Sequence, residues 1–320
     1  MLEHHGSSEK KERMNERVAA IDFGTNTARL LIAEKIGPGG FSHVHLEREI
    51  VRMGGGFSRE HGLSPEAIQR GLACLSRFAA IIREHGVLQV RAVATSAVRD
   101  ALNGPAFVAA VHRETGINLS VIDGTKEGML TLDGVLTGLD ERSEEILLFD
   151  VGGGSTEYSL IHEGKIQFIR SLPLGVVRLT EGKVTPEAMH DKICKELDLL
   201  RQEMVSANCR VKEGTTLIGT AGTATTLAAI SMEMRDYDYR KVNNAVVSYG
   251  KIKEIYERLL PLSPEKRLCI AGLEKGREDL IIAGSLITLV TMELFRISSL
   301  KVSDYGLLEG LIVSDAVPNC

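Results

Sequence analysis

A short turn that occurs twice constrains the fold more than any other feature of this sequence. Residues 22–27 read Asp-Phe-Gly-Thr-Asn-Thr, and residues 150–155 read Asp-Val-Gly-Gly-Gly-Ser. Both copies carry a glycine two positions after the aspartate and a hydroxyl residue five positions after it, and the second copy begins 128 residues after the first. Apolar stretches flank each turn, a pattern typical of two strands joined in a hairpin. The repeat predicts two domains of one topology.

The order of the remaining segments supports this duplication. In each half a strand ends at a threonine and leads into a helix, at Thr95 and, 125 residues later, at Thr220. Farther along, the segment from Asp123 to Glu127 resembles a later segment that ends at Glu309. Alternating strands and helices after a hairpin predict an α/β fold with a mixed sheet in each domain. Because single cores stop growing near about 250–300 residues, a longer chain has room for two.

These correspondences set the expected domain limits. We expect residues 17–125, together with a C-terminal helix over residues 304–320, to form domain I. Residues 126–303, which include helical insertions, are expected to form domain II. Residues 1–16 are polar and lack the apolar segment of a signal peptide, so we expect a disordered tail there.

Charge and cysteine content limit the classes of protein to which this chain can belong. The net charge of −5 argues against general nucleic-acid binding, although a local basic cluster can still hold a phosphate polyanion. The five cysteines are scattered and odd in number, which is typical of free thiols in a reducing compartment.

The longest apolar stretch, residues 280–292, is too short for a membrane span of about 20 residues and predicts a core helix. We expect a cytoplasmic protein without nucleic-acid or membrane partners. A homodimer is compatible with the sequence, which does not measure an interface.

The two turns are suited to binding phosphate. Glycine lets backbone N–H groups approach an anion where a Cβ would obstruct them. A single turn of this kind is more often an ordinary hairpin, but two copies in register favour a shared site. Asp22 and Asp150 beside phosphate require a cation between them, and Mg²⁺ binds carboxylates, water and phosphate oxygens. The phosphate-binding residues predicted from the turns are Gly24, Thr25, Asn26, Thr27, Gly152, Gly153, Gly154 and Ser155.

Two junctions between a strand and a helix supply further candidates. Thr95 and Ser96 lie at the first junction, and Gly222 and Thr223 lie at the second. Free N–H groups at such positions attract anions, although N-capping alone would explain these residues equally well. Arg99 lies one turn into the first helix, close enough to face the same site.

Hydrolysis of a phosphate chain needs a base that orients and deprotonates water, and Glu127 is the candidate. It follows a strand end on the segment between the predicted domains. From the pattern alone, a solvated glutamate on a helix is the commoner case. Arg29 and Arg277 rank lower as phosphate contacts, because Arg29 can point to either face of its strand. The sequence contains no G-x-x-x-x-G-K-[S/T] motif, which excludes a P-loop.

Several blocks together carry a family resemblance. Residues 20–27, 94–103 and 149–157 are similar to three blocks of the exopolyphosphatase and guanosine pentaphosphate phosphohydrolase family, and residues 277–279 and 303–310 resemble two weaker blocks. The resemblance covers almost the whole chain. Since that family belongs to the actin and hexokinase superfamily, the resemblance implies two duplicated ribonuclease H-like domains with an interdomain cleft.

The resemblance also implies a reaction and roles for named residues. It implies Mg²⁺-dependent, processive removal of the terminal phosphate of inorganic polyphosphate, extending to guanosine tetra- or pentaphosphate. In the matching segment Glu127 is the catalytic glutamate and Arg99 contacts the phosphate chain. Asp150 and Glu157 help to hold the metal, and with Asp22 they make up the predicted metal-binding set.

Two departures from the family pattern leave other interpretations open. Lys126 stands where the family carries a glutamate, and Leu308 stands where it usually carries an arginine. An ATP-dependent sugar or acetate kinase of the same superfamily would use the same two turns, although the segment around Glu127 favours a hydrolase. The other alternative is a non-catalytic protein that senses polyphosphate or the alarmone, and Lys126 gives it weight.

Overall fold

The first half of the chain folds as the repeat predicts, as a hairpin followed by strands and helices in alternation. The computed structural model describes residues 16–36, 40–58, 60–141, 143–182 and 185–314. The strands of the first sheet are β1 (Arg17–Phe23), β2 (Thr27–Lys35), β3 (Phe41–Ile50), β4 (Gln89–Ala94) and β5 (Leu119–Val121). The helices are α1 (Pro65–Glu84), α2 (Ser96–Arg99) and α3 (Gly104–Thr115). The sheet order is β3-β2-β1-β4-β5, with β1 antiparallel to β2 and parallel to β4.

The second half repeats this topology after a linking helix, α4 (Gly124–Gly138). Its strands are β6 (Glu145–Val151), β7 (Thr156–His162), β8 (Lys165–Leu172), β9 (Thr216–Thr220), β10 (Val246–Ser248) and β11 (Ser299–Val302). The sheet order is β8-β7-β6-β9-β11-β10, so the first five strands repeat the order of the first sheet and β10 is added at the edge. The observed sheets confirm a duplicated α/β architecture with mixed strand directions.

The additional helices belong mainly to the second half. They are α5 (Val176–Gly182), α6 (Pro186–Ser206), α7 (Ala221–Ser231), α8 (Tyr239–Val242), α9 (Tyr249–Leu259), α10 (Pro264–Arg267), α11 (Ile281–Phe295) and α12 (Leu307–Val313). In α11 every residue from 281 to 292 is buried, which confirms the core helix predicted from the apolar stretch. Among the described residues, no helix combines the length and apolarity needed to cross a bilayer.

Two helices are exchanged between the sheets. Helix α4 follows β5 of the first sheet, yet it packs against β6, β7 and β8 of the second. Its Leu132 and Val135 lie in one apolar cluster with Ile146 and Ile161. Helix α12 follows β11 of the second sheet, yet it packs against β1 and β2 of the first. Each half of the chain therefore contributes one helix to the hydrophobic core of the other half.

The exchanged helices cross in direct backbone contact, and glycine makes this approach possible. A Cβ on Gly134 of α4 would lie 1.9 Å from the carbonyl oxygen of Gly306. A Cβ on Gly310 of α12 would lie 1.8 Å from the carbonyl oxygen of Leu130. Both distances are far below any van der Waals contact, so neither position can accept a larger residue without separating the helices.

Parts of the predicted domain plan lie outside the described residues. Nearly all of the expected N-terminal tail does, as do residues 315–320 of the expected C-terminal helix. The described part of that helix is α12. The domain limits themselves remain predictions. Within the described chain Cys74, Cys194, Cys209 and Cys269 are free thiols.

Candidate active site

A cleft of about 380 Å³ lies between the two halves, where both duplicated turns converge. The turns come from equivalent hairpins, β1–β2 and β6–β7, and α4 and α12 form part of the same wall. The structure thus brings most of the residues singled out from the sequence to one place. The predicted residues that line the cleft are Asp22, Gly24, Thr25, Asn26, Thr27, Thr95, Ser96, Glu127, Asp150, Gly152, Gly153, Ser155 and Gly222.

The two turns touch each other directly, which requires glycine in the second one. A Cβ on Gly153 would lie 2.8 Å from the Cβ of Thr25, and a Cβ on Gly154 would lie 2.5 Å from the Oγ of Ser96. The hydroxyls of Thr25 and Ser96 share a hydrogen bond of 2.8 Å. Backbone and hydroxyl groups of both halves therefore surround one small volume.

The first hairpin places a cation beside its aspartate. Asp22 on β1 lies directly opposite Arg29 on β2, and residues opposite each other on antiparallel strands share a face of the sheet. Arg29 Nη2 lies 2.7 Å from Asp22 Oδ2. Arg29, whose direction could not be predicted from the sequence, lines the cleft as well.

The second hairpin places an anion at the equivalent position. Asp150 on β6 lies directly opposite Glu157 on β7, an arrangement of like charges that is destabilising unless something neutralises it. The Oγ of Ser171 donates a hydrogen bond of 2.6 Å to Glu157 Oε1. Glu157 Oε2 is buried without a hydrogen-bond partner among the described residues. Burial raises the pKa of Asp150 to about 6, and burial with the neighbouring Asp150 raises the pKa of Glu157.

This donor set fits a divalent cation. Asp22, Asp150 and Glu157 supply only carboxylate oxygens, which are the ligands that Mg²⁺ prefers in proteins. A bound cation would compensate the like charges of Asp150 and Glu157 and give the unpartnered Glu157 oxygen a ligand. A separate group at the opposite, exposed end of the β6–β7 hairpin, formed by Glu144, His162 and Glu163, also brings ligand atoms within 4.8 Å of one another.

Glu127 faces the cleft from the first turn of α4. The helix begins there because the Asp123 side chain accepts a hydrogen bond of 2.7 Å from the backbone N–H of Lys126. Glu127 is only 7% exposed, so it is not the solvated glutamate that its pattern alone would suggest. Burial, followed by the charges of Glu157 and Asp150, raises the pKa of Glu127 well above its ordinary value. A carboxylate with a raised pKa is better suited to accept a proton near neutral pH.

The remaining predicted residues do not line the cleft itself, and one of them is Glu157, which lies opposite the lining residue Asp150 on the neighbouring strand. Arg99 lies behind Glu127, with its Nη1 3.3 Å from Glu127 Oε2, so it contacts the candidate base directly. Gly154 lines a neighbouring cavity of about 230 Å³. Thr223 is buried in α7, and its side chain occupies the space that a Cβ on Gly284 of α11 would need. Its neighbour Gly222 lines the cleft in its place.

The structure adds Arg48 and Glu309, which the sequence did not single out as site residues, and also brings the lower-ranked candidate Arg277 to the cleft. Arg48 and Arg277 both line the cleft, and each contacts Glu274, Arg48 at 2.7 Å and Arg277 at 3.3 Å. Glu309 lies in the first turn of α12, as Glu127 does in α4, and accepts a hydrogen bond of 2.8 Å from the backbone N–H of Gly306. Burial raises the pKa of Glu309 to about 7. Glu309 could have been predicted from the sequence, because the segment that ends at Glu309 resembles the earlier segment that ends at Glu127.

Comparison with known proteins decides the family. A model of the Ppx/GppA phosphatase family matches residues 31–318. The chain belongs to the Ppx/GppA phosphatase family. It is accordingly a hydrolase of phosphoric anhydrides, as the members of this family are.

Named relatives include an exopolyphosphatase and a guanosine polyphosphate pyrophosphatase. Exopolyphosphatase 2 of Mycobacterium tuberculosis is 33% identical over 313 residues, covering 93% of this chain and 98% of the relative. A guanosine-5'-triphosphate,3'-diphosphate pyrophosphatase of Aliivibrio fischeri is 28% identical over 306 residues, covering 94% of this chain and 60% of that longer protein.

Solved structures of the Ppx/GppA family have the same fold. The Aquifex aeolicus PPX-GPPA enzyme is 34% identical, with a TM-score of 0.76 over 94% of this chain and 99% of that one. An exopolyphosphatase from Cytophaga hutchinsonii is 27% identical, with a TM-score of 0.84 over 93% of this chain and 96% of that one. The architecture of this Ppx/GppA member is therefore the actin-like two-domain fold.

Proposed function

We propose that this protein hydrolyses the terminal phosphoanhydride bond of inorganic polyphosphate, and of guanosine pentaphosphate, with Mg²⁺. The observation that supports this proposal most strongly is the burial of Glu127 in a cleft walled by two aspartate-glycine hairpins. The names of the relatives support the two substrate classes.

The cleft has the groups that a phosphate chain needs. Residues 24–27, Gly152, Gly153 and Ser155 line the cleft where the turns converge. The backbone N–H groups of Gly24 and Gly152 close their own turns, which leaves those of Thr25, Asn26 and Gly153 for phosphate. Arg29, Arg48 and Arg277 add positive charge on the wall of the same cleft. Glycine-rich backbone and guanidinium groups are both well suited to phosphate oxygens. We therefore assign the terminal phosphate to the turns and the rest of the chain to the arginines.

The reaction needs a proton acceptor and charge neutralisation. Asp22, Asp150 and Glu157 would hold Mg²⁺, which when bound neutralises charge on the phosphate oxygens. Glu127 accepts a proton from water while the water oxygen forms its bond to the terminal phosphorus. The bridging P–O bond breaks, and the electron pair stays on the shortened chain, leaving inorganic phosphate. Arg99 holds the Glu127 carboxylate in place during this step.

A substrate panel tests the proposal. Initial rates of phosphate release are measured for tripolyphosphate, long-chain polyphosphate, guanosine pentaphosphate and ATP, with Mg²⁺ and with excess EDTA. We expect release from the polyphosphates and guanosine pentaphosphate to exceed release from ATP and to be lost in EDTA. Transfer of phosphate from ATP to a sugar would instead identify a kinase, and binding without release would identify a sensor.

Two further properties belong to the same proposal. We propose a cytoplasmic location, which the free thiols of the described cysteines favour. We also propose a homodimer, which sedimentation analysis at several protein concentrations would test.

A further inference from the structure

The second turn is held from behind by helix α5. The first N–H groups of a helix have no acceptor within the helix itself. In α5 the N–H of Val176 donates to the carbonyl of Gly152 at 3.0 Å, and the N–H of Val177 donates to the carbonyl of Gly153 at 2.9 Å. A planar trans peptide points its C=O and its N–H in opposite directions. The N–H groups that follow these two carbonyls therefore point away from α5.

The next carbonyl of the second turn depends on a side chain. In the first turn, the carbonyl of Asn26 accepts hydrogen bonds from the backbone N–H groups of Val51 and Arg52, at 3.0 and 2.9 Å. Gly154 occupies the equivalent position, 128 residues later. Within the described residues, its carbonyl accepts a hydrogen bond only from Nε of Arg178, at 2.8 Å. One guanidinium group thus takes the place of two backbone donors.

The carbonyl that Arg178 holds belongs to the same peptide as the N–H of Ser155. Arg178 lines the cavity of about 230 Å³ beside Gly154, whereas Ser155 lines the cleft. Because the peptide is trans, the Ser155 N–H points away from Arg178 and toward the cleft. In the described part of the chain this N–H has no backbone acceptor. It therefore adds a donor for phosphate oxygens to that of Gly153.

Arg178 is itself fixed by the first half of the chain. Its Nη2 lies 2.8 Å from Oδ2 of Asp100, the residue directly after α2. Oδ1 of Asp100 lies 3.6 Å from Nε of Arg99, the arginine that contacts Glu127. The guanidinium group therefore has one partner in each half, which fixes its orientation. Because the pair with Asp100 is partly exposed, it adds little stability, and its effect is on geometry.

We infer that Arg178 is a positioning residue for the hydrolysis, which holds the peptide between Gly154 and Ser155 so that the Ser155 N–H faces the terminal phosphate. This inference rests on the proposed function, because that function assigns the terminal phosphate to the turns. Arg178 does not touch the phosphate itself. Preorganised donors aimed at a reacting group act mainly on the transition state, so misdirecting one lowers kcat more than it raises KM.

The first test measures kcat and KM for phosphate release from tripolyphosphate with Mg²⁺ by the wild type, Arg178→Ala and the control Arg170→Ala. Arg170 also forms an ion pair, with Glu203, but lies outside the cleft and the neighbouring cavity. We expect Arg178→Ala to lower kcat at least about tenfold with a smaller change in KM, since outright removal of an oxyanion donor costs about a hundredfold or more. Millimolar guanidinium chloride, far below denaturing concentrations, should restore part of this kcat by entering the vacated space. It should leave the kcat of Arg170→Ala unchanged.

A second measurement does not depend on turnover. The backbone amide resonance of Ser155 is followed by NMR while inorganic phosphate is added, with Mg²⁺, to the wild type and to Arg178→Ala. We expect a phosphate-dependent shift of this resonance in the wild type and a smaller shift in the variant, because the N–H is no longer held toward the cleft.

These results distinguish the positioning role from the proposed function. If the wild type hydrolyses tripolyphosphate and Arg178→Ala keeps its kcat, the positioning role is wrong and the proposed function stands. A loss of kcat that guanidinium does not restore, with equal Ser155 shifts in both proteins, also overturns the positioning role. If the wild type releases no phosphate but its Ser155 shift requires Arg178, the proposed function fails and the positioning of Ser155 stands. A wild-type Ser155 resonance that ignores phosphate overturns the inference at any rate of hydrolysis.

Discussion

Arg29 and Glu157 occupy the same position in the two duplicated hairpins, 128 residues apart. Each lies directly opposite the aspartate of its own turn. The opposite charges of these two residues make the two turns different. The first turn pairs its aspartate with a cation, and the second places two carboxylates side by side. The equivalence of the two positions follows from the spacing of the repeat, but the face of the sheet that Arg29 occupies could not be predicted from the sequence.

The first prediction concerns Glu157. Replacing it by glutamine removes one of the two facing charges and weakens the proposed cation site. We expect the Mg²⁺ concentration that gives half the maximal increase in Tm to rise at least about tenfold, since even indirect changes to a metal site have effects of this size. Glu213→Gln, an exposed change in the loop before β9 and outside the cleft, is the matched control. An unchanged Mg²⁺ response in Glu157→Gln would contradict the assignment.

The burial of Glu127 could not be predicted from local pattern. Its helix begins with an aspartate cap, which the sequence shows, but the cap does not reveal what faces the first turn. The resemblance assigned the role. The structure shows the contact with Arg99 and shows that burial, together with the neighbouring acids, raises the pKa of Glu127. Thr223 illustrates the opposite case, because its junction position suggested phosphate binding whereas its side chain packs against α11.

Among the secondary-structure elements, most helices and strands could be predicted from apolar periodicity and turn residues. The core helix α11 and both hairpins follow the predicted patterns closely. Strands β8 and β10 were absent from the prediction. Strand β10 has only three residues, too few to show a period. The crossing of α4 and α12 was also absent, because an apolar pattern shows that a helix is buried but does not identify its partner.

The second prediction concerns the close crossing of α4 and α12. Gly134→Ala should lower the free energy of unfolding by about 2–3 kcal/mol, because its Cβ would meet a backbone carbonyl that cannot move without separating the helices. Gly250→Ala in α9 is the control: a Cβ there meets nothing within 4 Å, and alanine favours the helix by up to about 1 kcal/mol. Urea denaturation measures both values. Equal stability of Gly134→Ala and wild type would show that the close crossing is wrong.

At the scale of the whole molecule, ion pairs connect the halves around the cleft. Arg178 of α5 lies 2.8 Å from Asp100, and Arg52 lies 3.3 Å from Asp279. These side chains are substantially exposed, and such pairs contribute little stability in water, at most about 1 kcal/mol each. The exchanged helices, with their buried apolar contacts, therefore hold the halves together more firmly than the ion pairs do. Sequence repetition predicts two similar halves, but these contacts across the cleft depend on tertiary packing.

Glu127 is the proposed proton acceptor of a hydrolysis carried out between the two turns. The most direct measurement is kcat for phosphate release from tripolyphosphate with Mg²⁺ by wild type, Glu127→Gln and Glu66→Gln. Glu66 is an exposed glutamate in the first turn of α1, so it matches Glu127 in helix position but lies outside the cleft. We predict that Glu127→Gln loses about a hundredfold or more in kcat with its fold intact, while Glu66→Gln keeps the wild-type rate. A wild-type kcat in Glu127→Gln would show that Glu127 is not the proton acceptor.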